Sequence, residues 1–163
     1  MAFLSNLSIP PTVSVIGEID TVLGKHGTGS IVTILERKTR FYLIKKVAST
    51  SAEDVTKATI ELLMPYKQHV HTITADNGRE FAHHQAIAKA LDAEFYFAHP
   101  YSSWERGANE NANGRLRQYV KKGIDLRTVS DDIILFAQNR INYRPKKCLK
   151  FKPSAVVFKQ LAA

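Results

Sequence analysis

The sequence predicts an α/β domain built on a five-stranded mixed sheet flanked by helices. Two observations carry this. Three consecutive segments with the two-residue period of strands, separated by short turns, open the domain. The period then switches to an alternation of helix and strand, giving the order β-β-β-α-β-α-β-α-α. A meander pairs antiparallel, whereas strands joined through helices pair parallel, so the sheet has mixed sense and helices cover its faces.

Residues 1–12 form a lead-in that closes around Pro10-Pro11, and residues 13–163 form one domain. Residues 12–20 alternate, with Val13, Val15 and Ile19 on one face and Ile16, Glu18 and Asp20 on the other. A glycine-bearing turn at 25–29 leads to a β-branched strand at 30–35. A polar turn, Glu36-Arg37-Lys38-Thr39, returns the chain as a strand at 40–47. Ser51 and Asp54 form a capping box for a helix whose apolar stripe is Val55, Ala58, Thr59, Leu62 and Leu63, and Pro65 stops it. A short strand at 70–75 ends at Asp76. A helix follows at 81–91, a strand at 94–98, and helices at 108–122 and 131–142, the last ended by Pro145.

Composition narrows the function. Lys plus Arg number 23 against 15 Asp plus Glu, a net charge of +8. Eleven basic residues fall between Arg115 and Lys152, opposed by Asp125, Asp131 and Asp132, and such a stripe suits a polyanion. Cys148 is the single cysteine, so no internal disulfide forms, which fits a reducing cytoplasm. His69, His71, His83, His84 and His99 have no zinc-site spacing. No apolar run approaches membrane-spanning length, and the lead-in lacks the basic start of a signal peptide.

Three acids stand at telling places. Asp20 ends the first strand, Asp76 ends the strand after the first helix, and Glu110 opens a helix with 33 residues between it and Asp76. Ligands gather beyond strand ends in open α/β sheets, and carboxylates suit a hard ion such as Mg²⁺. Two such ions about 4 Å apart serve phosphodiester chemistry. Each acid alone has a plainer reading, as a turn former or as a favourable charge at a helix start. Their combination is specific. Asp76 lies in Asp-Asn-Gly-Arg-Glu-Phe and Glu110 in Glu-Arg-Gly-Ala-Asn-Glu-Asn-Ala-Asn-Gly.

With these motifs the chain resembles the catalytic core of insertion-sequence transposases of the family numbered thirty, in the retroviral integrase superfamily. The resemblance runs from Gly17-Glu18-Ile19-Asp20 through Asp76-Asn77-Gly78-Arg79-Glu80-Phe81, Glu110-Asn111-Ala112-Asn113-Gly114 and Leu116-Arg117-Gln118-Tyr119 to Asn142-Tyr143-Arg144-Pro145. It implies an RNase H-like fold and an integrase-type catalytic core. Asp20, Asp76 and Glu110 are then the catalytic acids and the ligands of two Mg²⁺ ions, with Mn²⁺ able to substitute. The implied activity is metal-dependent cleavage of element ends and strand transfer into target DNA, by a homo-oligomer such as a dimer, in the bacterial cytoplasm at the nucleoid. The family usually has Trp-Glu-Gly-Asp at the first acid, where this chain has Gly17-Glu18-Ile19-Asp20; no ligand is lost. Such transposases also carry an upstream helix-turn-helix region, which this sequence lacks, so an excised or truncated core is expected.

DNA contact is expected from Asn113, Arg117 and Lys121, spaced to share a helix face with Glu110, and from Lys122 and Arg144. Tyr101 and Trp104 are candidates for stacking on a base, and His99 is an auxiliary candidate. A metal-free site is expected to hold its acids apart, because like charges repel. Two rivals stay open: an RNase H-like nuclease that cuts without joining, and a DNA-binding or multimerising core without its own transposition activity.

Overall fold

In the computed structural model of the chain, residues 15–99 and 106–162 are described. The lead-in, Tyr101 and Trp104 lie outside them. The first three strands, β1 (Val15–Leu23), β2 (Ser30–Glu36) and β3 (Tyr42–Val47), form the expected antiparallel meander. Helix α1 (Ala52–Leu63) starts at Ser51, whose hydroxyl accepts from the Asp54 amide. Then come β4 (Val70–Ala75), α2 (His84–Leu91), β5 (Glu94–Phe97), α3 (Gly107–Leu116) and α4 (Asp131–Asn142). The sheet order is β3-β2-β1-β4-β5, with β4 parallel to both β1 and β5.

Both faces of the sheet are covered. Ile19, Ile34, Leu43 and Ile73 meet α1 and α2 on one side. Ile31, Leu35, Tyr42 and Ile44 meet Ala112 and Leu116 of α3 and Ile134, Ala137 and Ile141 of α4 on the other. Every residue of β2 is buried, as expected of an inner strand packed on both faces. The outer edge of β3 is tied to α4. Asn142 accepts from the Tyr42 amide and donates to the Tyr42 carbonyl, both at 2.8 Å, and Gln138 accepts from the Ile44 amide at 2.9 Å. Among the described residues no helix is long and apolar enough to cross a membrane.

Several boundaries differ from the sequence expectation. Strand β1 runs on to Leu23, paired with Ser30, so Asp20 lies within the strand rather than at its end. The hairpin ladder with β2 carries it past the acid. The helix expected at 81–91 begins at His84, after a separate 3₁₀ turn at Arg79–Phe81. Helix α3 stops at Leu116 instead of continuing to 122. There the backbone tightens to i→i−3 bonds at Gln118 and Tyr119, and Val120 turns inward into the core. Beyond Arg144 the chain forms a hairpin of two-residue strands, β6 (Pro145–Lys146) and β7 (Lys152–Pro153), and a further helix, α5 (Ser154–Ala162). Phe158 of α5 stacks on Phe41, with ring centroids 4.5 Å apart.

Candidate active site

The parallel register of β1 and β4 brings two acids together. Glu18 is opposite Thr74, so two residues further along each chain Asp20 and Asp76 come side by side on the same face. Each carboxylate has one oxygen anchored by backbone. Asp20 Oδ1 accepts from the Thr21 amide at 2.8 Å, and Asp76 Oδ1 accepts from the Gly78 amide at 2.9 Å. The other oxygens share a cation, the guanidinium of Arg106. Its Nη1 is 3.5 Å from Asp76 Oδ2, and its Nη2 is 4.0 Å from Asp20 Oδ2. Nη2 also donates to the Ile19 carbonyl at 2.5 Å, which fixes the guanidinium against β1.

Asp20 Oδ2 accepts a further bond from the Asn113 side-chain amide of α3 at 2.9 Å. The Tyr42 hydroxyl donates to Asn113 Oδ1 at 2.7 Å and so orients that amide. Burial pushes the Tyr42 phenol far above its usual range, keeping it a neutral donor. Burial also raises the Asp20 carboxyl above the usual carboxylate range; Arg106 and the Thr21 amide oppose the shift, and Asp76 and Glu80 add to it. A carboxylate that is desolvated and close to another is a site that gains from a cation.

Glu110 stands apart. It lies in the first turn of α3 and is exposed. Among the described residues no three His, Cys, Asp or Glu side chains are gathered closely enough to hold a metal ion. The structure therefore joins Asp20 to Asp76 and leaves Glu110 outside the pair.

The residues expected at DNA divide between two places. Asn113, Arg117 and Lys122 line one groove of about 660 Å³, together with Thr21, Lys25 and His26. Lys121 follows in the loop after α3, off the helix face that was to carry it. Arg117 donates to the Leu23 carbonyl at 3.0 Å and thereby ties the exit of α3 to β1. Arg144 is exposed elsewhere, 3.4 Å from Gln118 Oε1, and His99 is exposed just after β5.

Comparison with known proteins shows what this chain is similar to. No protein-family model matches the chain. Over 144 residues it is 46 % identical to the transposase for insertion sequence element IS4351 of Bacteroides fragilis, covering 88 % of this chain and 44 % of that protein. Over 147 residues it is 31 % identical to the transposase InsI for insertion sequence element IS30A of Escherichia coli K12, covering 89 % and 38 %. The chain matches the core of the IS30-family transposases. It spans less than half the length of these relatives. The chain has the fold of the catalytic core domain of BIV integrase, with a TM-score of 0.70 at 16 % identity over 90 % of this chain and 95 % of that one. It also overlays a chain of a simian T-cell lymphotropic virus intasome, with a TM-score of 0.72 at 16 % identity over 96 % of this chain and 57 % of that one. The RNase H-like α/β fold is thus shown.

Sequence reasoning assigned no role to two groups of this chain. Arg106 sits in the quoted Glu-Arg-Gly motif, and its charge next to a predicted acid was the available signal. Glu80 accepts from the Thr21 hydroxyl at 3.0 Å and folds back over Gly78, where an added Cβ would meet its carboxylate at 2.3 Å. Glu18, two residues before Asp20, is buried and paired with Arg37 Nε at 2.8 Å, while its Oε2 and Arg106 Nε are buried without hydrogen-bond partners.

Proposed function

We propose that the chain carries the metal-dependent polynucleotidyl-transferase site of a transposase. It cleaves DNA at element ends and joins the freed ends to target DNA. The observation that carries this reading is the single cation shared by Asp20 and Asp76. Two carboxylates, each anchored through Oδ1, present their other oxygens to one positive charge. A donor set of hard oxygens suits Mg²⁺ or Mn²⁺. The ligands in this reading are Asp20, Asp76 and Glu110, with two ions per site. When bound, the ions supply Lewis-acid activation of the attacking oxygen and stabilisation of the leaving one.

The chain's own residues do the rest. Asn113 and the Thr21 amide hold the Asp20 carboxylate in one orientation. Arg106 balances the charge of the two aspartates, and Glu110 would complete the ligand set from the first turn of α3. Asn113, Arg117 and Lys122 line the groove beside the pair and hold DNA phosphates there. Lys121 and Arg144 extend the basic surface. A homo-oligomer, with a dimer as its unit, engages two DNA ends at the nucleoid in the cytoplasm.

The test is Asp76→Asn in the complete transposase, assayed for end cleavage and strand transfer with Mg²⁺ and with Mn²⁺. Loss of both steps is expected, and undiminished activity would sink the reading. The basic groove lined by Arg117 and Lys122 also suits a second reading, a DNA-binding or multimerising core without chemistry. Calorimetric titration with Mn²⁺ separates the two, since a chain that binds DNA but no divalent ion at millimolar concentration supports the second.

A further inference from the structure

A cavity of about 570 Å³ opens on the flank of α3 that faces away from Asp20. Gly107, Asn111 and Arg115, one helical turn apart in succession, form its wall along α3. Leu35 and Ile141 contribute apolar floor, and Arg40, Arg115, Lys146 and Lys147 bring four cations. No carboxylate is among the described residues that line it.

One of the cations, Lys146, is buried and a second, Arg115, is half-buried, with no counter-charge among the described residues that line the cavity. Arg115 Nη1 is buried and has no hydrogen-bond partner. Lys146 is buried, and its Nζ donates to the Ile141 carbonyl at 2.7 Å, a neutral acceptor. Burial first, and then the charge of Arg115, push the Lys146 ammonium down to about 8. Converging donors on a concave wall with no anion present are satisfied by an anion that enters. Arg40 and Arg115 offer forked donors, which match phosphate oxygens in geometry as well as charge.

We propose that this cavity is a phosphate-binding subsite that takes a backbone phosphate of the DNA strand lying across α3. The assignment rests on the DNA reading of the proposed function and adds a second place of contact, on the other flank of the helix from the groove of Asn113 and Arg117. Phosphate in the cavity supplies the acceptor that Arg115 Nη1 lacks and a counter-charge for the Lys146 ammonium. The strand is then gripped on both sides of the helix that bears Glu110.

The experiment uses this chain with Arg115→Gln and, separately, Lys147→Ala. Lys147 is exposed, so its variant keeps the fold. Binding of duplex DNA is followed by fluorescence anisotropy across a NaCl series without divalent ions, with Lys57→Ala as control; Lys57 is exposed on α1, on the other face of the sheet from the cavity. Each lost phosphate contact is expected to lower the slope of log K against log salt by about 0.9, and the control is expected to leave it unchanged. Inorganic phosphate at constant ionic strength is expected to raise the Tm of the wild type and not of Arg115→Gln. A phosphate-dependent Tm with unchanged salt slopes would mark a site for the free ion and overturn the DNA assignment. Unchanged slopes with no phosphate effect overturn the subsite altogether while leaving the DNA reading intact. A wild-type chain that binds no DNA brings down that reading and the subsite with it.

Discussion

Asn113 gives its side-chain amide to Asp20 Oδ2 at 2.9 Å while the Tyr42 hydroxyl holds the other end of that amide at 2.7 Å. The relay runs from the sheet interior, through α3, to the first acid. Partners that orient a ligand in this way carry weight comparable to part of the ligand itself. Asn113→Ala is therefore expected to reduce metal affinity and strand transfer by roughly 10–100-fold with the fold retained. Tyr42→Phe, which frees the amide without removing it, should fall between that variant and the wild type. Equal activity of all three proteins in the complete transposase would show that the relay is inert.

Arg106 occupies the position of a counter-ion to both aspartates. Arg106→Gln retains a donor for the Ile19 carbonyl and removes the charge. Its Mn²⁺ affinity, measured by calorimetry, is expected to rise roughly three- to tenfold, the weight of one ion pair no longer displaced. Weaker binding would mean that Arg106 assists the metal rather than precedes it.

Asp20 is an acid whose carboxyl is raised in the fold, chiefly by burial. The folded chain then holds the proton more tightly than the unfolded chain does. Stability is greatest below the interval between the two values and is lost as pH rises through it. Asp20→Asn is expected to melt higher than the wild type at pH 7 and to match it in acid, with activity abolished. Thermal melts across pH 3–7 decide this: a constant difference would place the origin elsewhere than in the Asp20 charge.

Asn142 is buried and makes two hydrogen bonds to the backbone of Tyr42. Asn142→Ala leaves an amide and a carbonyl at the sheet edge unsatisfied. A loss of roughly 2 kcal/mol is expected, seen as a Tm drop of about 4–8 °C. A drop below one degree would mean that water replaces the side chain.

Much of the frame was legible because local signals agreed with tertiary ones. Residues 70–75 and 131–142 fold as read, the latter capped by Ser130, whose hydroxyl accepts from Ile133. The end of α3 was not legible: Tyr119 and Val120 extend the apolar stripe, but the core takes Val120 from a turn instead of a helix. The stretch from Lys147 to Ala162 carries no clear period before α5, and left-handed Lys150 and Phe151 set its hairpin. The acids were legible as residues and not as a cluster. Spacing located Asp20 and Asp76, the strand register joined them, and the sequence did not reveal that Arg106 lies between them or that Glu110 is not gathered with them.

The bonds from Asn142 and Gln138 have a consequence for assembly. They give β3 the partners that a sixth strand would have given it, so α4 serves as a surrogate neighbour along that border. The sheet is closed to growth there. A second molecule that approaches this border meets a helix, and any grip it takes must come from side chains, which can be chosen for one partner, instead of from backbone, which accepts any extended chain.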